Sequence, residues 1–244
     1  VTTQDHFIGV HASTLVRDGG TLQIGIGAMG DALVAALLAR QADNAGYRAL
    51  TDDLDIRPWH PLIEAEGGIV PFAQGLYGCS EMFVHGLMVL VDAGIVRRKV
   101  YPDAERQALA NAGMLDESLH TDGVCVHGGF ILGPASFYQR LREVPHSKRS
   151  EFNMTAISFI NELYGQEALK RLQRRNARFV NSAFTMTLLG AGVADQLQDG
   201  RVLSGVGGQY NFVAQAHALH DARSVIILRS WRESGGEVSS NIVW

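Results

Sequence analysis

Cysteine and proline are scarce in this chain of 244 residues, which contains two cysteines and six prolines. Cys79 and Cys125 are far apart and do not form the C-x-x-C spacing of a zinc site. So few cysteines in a chain of this length favour a reducing compartment, and we expect a cytoplasmic protein. Cys79 lies beside Glu81 and could be a nucleophile, but it is expected to be a small buried thiol.

The chain also lacks an excess of basic residues and a long apolar segment. Its net charge is −4 and its pI is about 6.1, so nucleic acid is not an expected partner. No apolar run reaches the roughly 18–20 residues of a membrane span, and no signal peptide is visible, so no membrane partner is expected. The basic clusters at 97–99 and 170–175 are expected to be solvated helix ends; contact with a phosphate-bearing cofactor is the weaker alternative.

Signatures of two hydrolytic mechanisms are missing from the sequence. The nine histidines include no H-x-x-x-H or H-E-x-x-H pair, so we expect no metal site. His217 and His220 have a spacing that suits a metal on a helix, but no third ligand is evident, and surface positions are expected. No G-x-S-x-G elbow is present, which disfavours a serine-triad hydrolase.

Glycine, in contrast, is abundant, with 27 residues that are expected to serve turns. Short apolar runs alternate with helical segments, which predicts an α/β fold with a mainly parallel sheet flanked by helices in one domain over 1–244. Because the chain starts at Val1 and ends on a short apolar strand, we expect a fragment of a longer protein. The predicted strands are 21–24, 123–130, 178–183, 201–203, 224–228 and 239–244, and the predicted helices are 6–16, 31–39, 81–93, 104–112, 134–142 and 162–176, with a loop and short helix over 50–66.

The loop Gly25–Gly30 matches G-x-G-x-x-G between a predicted strand and a predicted helix that Asp31 would cap. This is the context of a dinucleotide-binding fingerprint, and Asp52 or Asp53 roughly meets its requirement for an acid about 20 positions on. The alternatives are a tight turn, or a loop whose amides face an anion or a reacting carbonyl.

Two further segments suggest acyl chemistry. Ser204-Gly205-Val206-Gly207-Gly208-Gln209 is a glycine-rich turn whose amides could approach a developing oxyanion. Glu81 is a single carboxylate in the segment Gly78-Cys79-Ser80-Glu81-Met82-Phe83 and could attack a carbonyl. From spacing alone, Glu81 is better interpreted as the N-terminal acid of the helix predicted over 81–93.

Four segments together resemble the acetyl-CoA hydrolase/CoA-transferase family, which includes acetate and 4-hydroxybutyrate CoA-transferases. They are 25–29, 78–83, 181–183 and 204–209, and they follow the family's order. The resemblance is to the C-terminal half of these enzymes and implies a CoA-transferase-like domain. The chain departs from the family at Cys79, where many relatives have histidine, and in a longer segment from about 42 to 76.

The resemblance implies that Glu81 is the nucleophile and that Asn181 helps to position the reacting groups. It implies no permanent cofactor, with coenzyme A as substrate, an acyl-CoA and a carboxylate acceptor as small-molecule partners, and leaves a homo-oligomer open. Residues implied to bind the acyl-CoA thioester are Gly27, Ala28, Met29, Gly205, Val206, Gly207, Gly208 and Gln209.

The function expected from these observations is CoA transfer between short-chain carboxylic acids, or acyl-CoA hydrolysis, through a glutamyl-CoA thioester. A dinucleotide-binding oxidoreductase domain that uses Gly25–Gly30 is the alternative, and a non-catalytic CoA-binding module is a third. The segments around Glu81 and Gly205 favour the first over the second, because a dinucleotide-binding domain has no use for them. Nothing in the sequence separates transfer from hydrolysis.

Overall fold

The computed structural model describes residues 1–56, 59–197 and 199–244. The strands are β1 Thr21–Ile24, β2 Tyr77–Val84, β3 Val126–Leu132, β4 Phe152–Met154, β5 Arg178–Ser182, β6 Thr185–Thr187, β7 Gly192–Val193, β8 Arg223–Ile227, β9 Trp231–Ser234, β10 Glu237–Ser240 and β11 Ile242–Val243. The helices are α1 Thr3–Thr14, α2 Ala28–Ala42, α3 Asn44–Asp53, α4 His60–Glu66, α5 His85–Asp92, α6 Ala104–Asn111, α7 Ala135–Arg142, α8 His146–Arg149, α9 Ile157–Asn161, α10 Glu167–Gln173 and α11 Gln209–Ala218.

The main sheet has six strands in the order β4-β3-β2-β1-β5-β8, and every pairing in it is parallel. A hairpin of β9 and β10 and a small sheet in the order β11-β6-β7 follow toward the C-terminus. The chain winds outward from β1 through β2 and β3 to β4, and then resumes on the other side of β1 with β5 and β8. The predicted α/β fold with a mainly parallel sheet flanked by helices is therefore confirmed.

The two faces of the sheet are buried in separate cores. Leu22 and Ile24 of β1 pack with α2 and α5 in the larger cluster. Tyr77 and Cys79 of β2 pack with α9 and α11 in the second cluster. Because alternate residues of a strand point to opposite faces, Gln23 of β1 points to the same face as Tyr77 and Cys79. This second face carries the candidate site.

The prediction of a helix over 81–93 is wrong for its first turn. Residues 81–84 belong to β2, and the helix α5 begins only at His85. The reason is tertiary: Met82 and Phe83 pair with Phe130 and Ile131 of β3, and this pairing overrides the local helical pattern. Glu81 is consequently a strand residue, and its interpretation as the N-terminal acid of a helix is wrong.

Other boundaries also differ from the sequence predictions. Gly27, not Asp31, caps α2, and Asp31 lies in its first turn. The helix predicted over 162–176 is shorter, because Gly165 turns the chain with φ +84° before α10 begins. Val202 makes only an isolated bridge to Gln196, so 201–203 is not a strand.

The basic clusters are less solvated than expected. Arg98, Lys170 and Arg174 are buried, at 8%, 2% and 1% exposure, and the prediction of solvated helix ends is wrong for them. Their charged groups donate to neutral oxygens; Arg98, for example, bonds the carbonyl oxygens of Gly20 and Gln173. Both cysteines are free and buried, which confirms the buried thiol predicted at Cys79.

Candidate active site

Glu81 lies in β2 beside the point where the central strand β1 ends. The register of the two strands pairs Leu22 with Gly78, so three residues further on Glu81 lies beside Gly25, the first residue of the glycine loop. The hydroxyl of Ser80 donates to the carbonyl oxygen of Ile24 at 3.1 Å and fixes the two strands at this level. The carboxyl ends of parallel strands, next to the place where the strand order reverses, are where α/β sheets bind ligands.

The Glu81 carboxylate is held between two helices. The side-chain amide Nδ2 of Asn161, the last residue of α9, donates to Oε2 of Glu81 at 2.6 Å. Gly208, which precedes α11, packs against the same oxygen: a Cβ built there would overlap Oε2 and lie 2.8 Å from Nδ2 of Asn161. The carboxylate is thus half-buried and oriented, as a positioned nucleophile requires.

The turn 204–209 brings its last residues to this carboxylate. Gly207 has φ +55°, a conformation that favours glycine, and Gly208 caps the N-terminus of α11. Gly208 is buried against Glu81, Gln209 is partly buried, and Gly205, Val206 and Gly207 are exposed. The free amides in the first turn of α11 therefore start beside the carboxylate.

The glycine loop lines a cavity whose lining does not include Glu81. Gly27, with φ +108°, opens α2, and Gly27, Ala28 and Met29 line a cavity of about 1020 Å³. Across the cavity lie Ser182 and Ala183 at the end of β5. The unpaired amides at the start of α2 offer donors to an anion or a polarised carbonyl.

Asn181 lies in the same row of the sheet as Glu81 but does not hydrogen bond it. Ile24 pairs with Val180, so Asn181 flanks Gly25 on the side opposite Glu81, about two strand spacings or roughly 10 Å away. Its amide forms a reciprocal pair with Gln23, with distances of 3.2 and 3.3 Å. A Cβ on Gly25 would meet no atom within 4 Å, so the space between the two side chains is open.

Below Glu81, the same face of the sheet is buried and contains an aromatic–imidazole pair. The hydroxyl of Tyr77 bonds Nδ1 of His127 at 2.7 Å. Burial, with a smaller contribution from the Arg174 guanidinium, lowers the pKa of His127 to about 4. Burial also raises the pKa of Tyr77 well above its usual value. Both groups are therefore neutral at physiological pH and form a polar but uncharged floor.

Asn161 is the site residue that the sequence analysis missed. It is 80 positions from Glu81 along the chain and belongs to no recognised motif, so only the fold reveals the contact. The acid expected for a dinucleotide fingerprint is misplaced: Asp52 and Asp53 lie in α3, not at the end of a neighbouring strand. Within the described ranges no three acidic, histidine or cysteine side chains cluster as metal ligands, and no helix is long and apolar enough to cross a membrane.

Comparisons with known proteins agree with the resemblance seen in the sequence. Residues 133–244 match the model of the acetyl-CoA hydrolase/transferase C-terminal domain, a range that includes Asn161, Asn181 and the turn 204–209 but not Glu81. A 4-hydroxybutyrate coenzyme A transferase from Clostridium kluyveri is 23% identical over 228 residues, which are 93% of this chain and 39% of that protein.

Solved structures share the fold. The structure of RipA from Yersinia pestis covers all of this chain with a TM-score of 0.63 and 21% identity, and the chain covers 41% of it. A 4-hydroxybutyrate CoA-transferase from Porphyromonas gingivalis matches 98% of the chain with a TM-score of 0.58 and 20% identity, and 42% of that protein is covered. The chain thus spans about two fifths of the length of these relatives. Together, the match of residues 133–244 to this C-terminal domain and the similarity to the transferase support the acetyl-CoA hydrolase/CoA-transferase family for this chain, and the solved structures show that it shares their fold.

Proposed function

We propose that this chain contributes the nucleophile for CoA transfer between carboxylic acids, or for hydrolysis of a short acyl-CoA, and that the nucleophile is Glu81. The observation that carries the proposal is the contact of the Glu81 carboxylate with the Asn161 amide and with Gly208. The same oxygen is touched from α9 and from the glycine-rich turn, so the carboxylate is oriented before substrate binds. The similarity to the acetyl-CoA hydrolase/CoA-transferase family supports this chemistry.

The reaction proceeds by covalent catalysis in balanced steps. The Glu81 carboxylate attacks the thioester carbonyl of the acyl-CoA and expels CoA thiolate, which leaves an acyl-glutamyl anhydride. The thiolate then attacks the glutamyl carbonyl, releases the donor carboxylate and leaves a glutamyl-CoA thioester. A second carboxylate reverses these steps and leaves as a new acyl-CoA, whereas water in its place gives hydrolysis.

The residues around Glu81 have distinct roles in these steps. Nδ2 of Asn161 donates to Oε2 in the resting state, and the same donor stabilises the negative charge that develops on the glutamyl oxygen when thiolate attacks. The first-turn amides of α11, which follow Gly208, supply further donors. Gly27, Ala28 and Met29 bind the acyl-CoA in the cavity beside β1, and Asn181 immediately precedes Ser182 and Ala183, which also line that cavity. Coenzyme A is a substrate here, and no permanent cofactor takes part.

The dinucleotide-binding alternative is not favoured. Its fingerprint loop has the expected strand and helix, but the acids at the expected spacing, Asp52 and Asp53, lie in α3 and not in a neighbouring strand. The acid in the neighbouring strand is Glu81, whose carboxylate already bonds the Asn161 amide. A CoA-binding module without turnover has the same contacts, and only an assay separates it from the enzyme.

Acyl exchange tests the proposal. The natural full-length protein that contains this chain is incubated with acetyl-CoA and isotopically labelled acetate, and then with a panel of other carboxylates. We expect label to enter acetyl-CoA, and a new acyl-CoA to form with an accepted carboxylate. Free CoA without exchange indicates hydrolysis. Binding of acetyl-CoA with neither outcome contradicts the enzyme and supports the binding module. Glu81→Gln, which keeps the size of the side chain, is the control and should abolish both reactions.

A further inference from the structure

The short helix that carries Asn161 is held from behind by buried side chains. Helix α9 has only five residues, Ile157–Asn161, and a helix of this length has no stability of its own in water. Its last carbonyl groups lack partners within the helix. Something outside α9 must therefore hold the Asn161 amide at 2.6 Å from Glu81.

Arg174, at the end of α10, supplies most of these partners. Its guanidinium donates to the carbonyl oxygens of Phe159 and Ile160 and, at 3.3 Å, to that of Glu162, which bracket Asn161. It also donates to Oε1 of Gln215 on α11. Arg174 is 1% exposed. A buried guanidinium is costly unless its donors find partners; Nε of Arg174 has none, so the bonds of its two terminal nitrogens constrain the position of these carbonyls.

Gln215 forms hydrogen bonds with both Arg174 and α9. Its amide Nε2 donates to the carbonyl oxygen of Ile160 at 3.1 Å while its oxygen accepts from Arg174. Gln215 is 3% exposed and lies on the helix whose first turn begins at Gly208, the other neighbour of the carboxylate. Gln215 thus links α9, which carries Asn161, to α11.

We propose that Arg174 and Gln215 are positioning residues that hold Asn161, and through it Glu81, in reactive geometry. The proposal rests on the proposed function for its kinetic consequence, but not for its structural one. A misplacement of about 1 Å at a reacting group is able to cost on the order of 10²-fold in rate. A purely structural pair would change the amount of folded protein and leave the turnover of the folded molecules intact.

Arg174→Lys tests the proposal, because lysine keeps the charge and loses the forked donors. Arg171→Lys is the matched control: Arg171 lies on the same helix and donates to the carbonyl oxygen of Ala218 on α11, whereas it donates no hydrogen bond to the described residues of α9. We expect Arg174→Lys to lower kcat by on the order of 10²-fold, with KM for acyl-CoA within about twofold of the wild-type value. Arg171→Lys should retain the wild-type kcat. If Arg174→Lys fails to fold, Gln215→Met takes its place with the same expectation in kcat.

Two further measurements separate the possible failures. In an Asn161→Ala background, Gln215→Met should cause no additional loss of kcat, because the pair acts through Asn161. Hydrogen exchange of the amides in 157–162 should accelerate in Arg174→Lys and not in Arg171→Lys. Additive losses of kcat, or unchanged exchange, would overturn the positioning role. Accelerated exchange in a protein that never transfers CoA would leave the positioning role intact and overturn the proposed function instead.

Discussion

The space beside Glu81 restricts position 208 to glycine. Its φ is −87°, which any residue adopts, so the backbone alone does not require glycine. The reason for glycine is space, because a Cβ at this position would overlap Oε2 of Glu81. Any larger side chain must displace either the carboxylate or the start of α11.

Alanine substitutions in the glycine-rich turn test this limit. We expect Gly208→Ala to lower kcat by about 10²-fold, because the carboxylate is displaced from its reactive position. Gly205→Ala is the control, since a Cβ there meets no atom within 4 Å, and it should stay within a few fold of wild type. The measurements are steady-state acyl exchange and thermal melting. Equal kcat values for both variants would mean that Gly208 does not limit the carboxylate.

His127 predicts a pH dependence of stability. Its folded-state pKa is about 4, whereas an unfolded histidine titrates near 6.5, so the unfolded chain binds a proton that the folded protein refuses. Titration of His127 therefore does not reduce the free energy of unfolding above pH 6.5. As the pH falls from 6.5 toward 4, it reduces that free energy by at most about 1.4 kcal/mol per pH unit.

His127→Gln, which retains an acceptor for Tyr77, should flatten this part of the profile. Urea unfolding at pH 7, 6 and 5 measures the effect as the difference between wild type and variant. His220→Gln, at an exposed histidine beyond α11, serves as control and should leave the slope unchanged. A wild-type slope retained in His127→Gln would show that other groups cause the acid sensitivity.

Sequence predicts some of these residues and cannot reveal others. Glu81 and Gly208 were found because each lies in a contiguous segment that resembles the family. Asn161 was missed because its role arises from a contact across 80 positions, made by a short helix without a motif. Asn181, found through its motif, proves to be paired with Gln23, and its part in the reaction stays a prediction.

At the scale of elements, the local sequence pattern was sufficient to predict the bounds of some helices and strands. Strand β1 was predicted at its observed bounds, and α6 and α7 to within a residue or two. Residues 81–84 were assigned to the wrong element because apolar strands buried on both faces resemble buried helices until their partners are known. Two other elements, β4 and α9, are too short for a hydrophobic periodicity to be visible in the sequence.

Helix α1 offers a prediction at this scale. Asp5 lies in its first turn, is fully buried, and accepts hydrogen bonds from Arg229, which follows β8, at 2.8 Å on both oxygens. The Arg229 guanidinium holds the pKa of this carboxyl well below its usual range. The pair contributes stability above the unfolded pKa of about 3.9, and this contribution disappears as the pH falls below it.

We expect Asp5→Asn to lower the free energy of unfolding by about 1–2 kcal/mol at pH 7, since it weakens both the helix cap and the ion pair. The difference between wild type and Asp5→Asn should shrink below pH 4. Denaturant unfolding of both proteins across this range provides the measurement. In an Arg229→Gln background the same substitution should cost less, and an undiminished cost would show that the pair does not couple α1 to β8.

At the scale of the whole molecule, the strand order explains why the candidate site residues lie together. All strands of the main sheet are parallel, and the order in which they are added reverses at β1, so Glu81, the glycine loop and the end of β5 meet at one edge although they are far apart in sequence. Sequence predicted the α/β class and the family, but it misjudged the basic clusters. The sequence around Arg98, Lys170 and Arg174 is typical of surface charges. It does not reveal the carbonyl groups, distant along the chain or in neighbouring turns, that accept hydrogen bonds from these buried side chains.

The chain spans about two fifths of its relatives, so a single domain over 1–244 within a longer protein stays a prediction. Ligand-dependent melting of the natural full-length protein provides a test of substrate class. CoA or acetyl-CoA at 100 times its Kd should stabilise the native state by about 2.7 kcal/mol, and NAD, NADP and FAD should give no shift. A shift with a dinucleotide and none with CoA would restore the oxidoreductase alternative.

The central claim is that Glu81 becomes covalently attached to CoA. The full-length protein is treated with acyl-CoA and then with borohydride, which reduces a glutamyl thioester to an alcohol, and the peptide that contains Glu81 is analysed by mass spectrometry. We predict a loss of mass at Glu81 that requires acyl-CoA and is absent in Glu81→Gln. An unmodified Glu81 in an enzyme that is demonstrably transferring CoA would contradict the covalent mechanism.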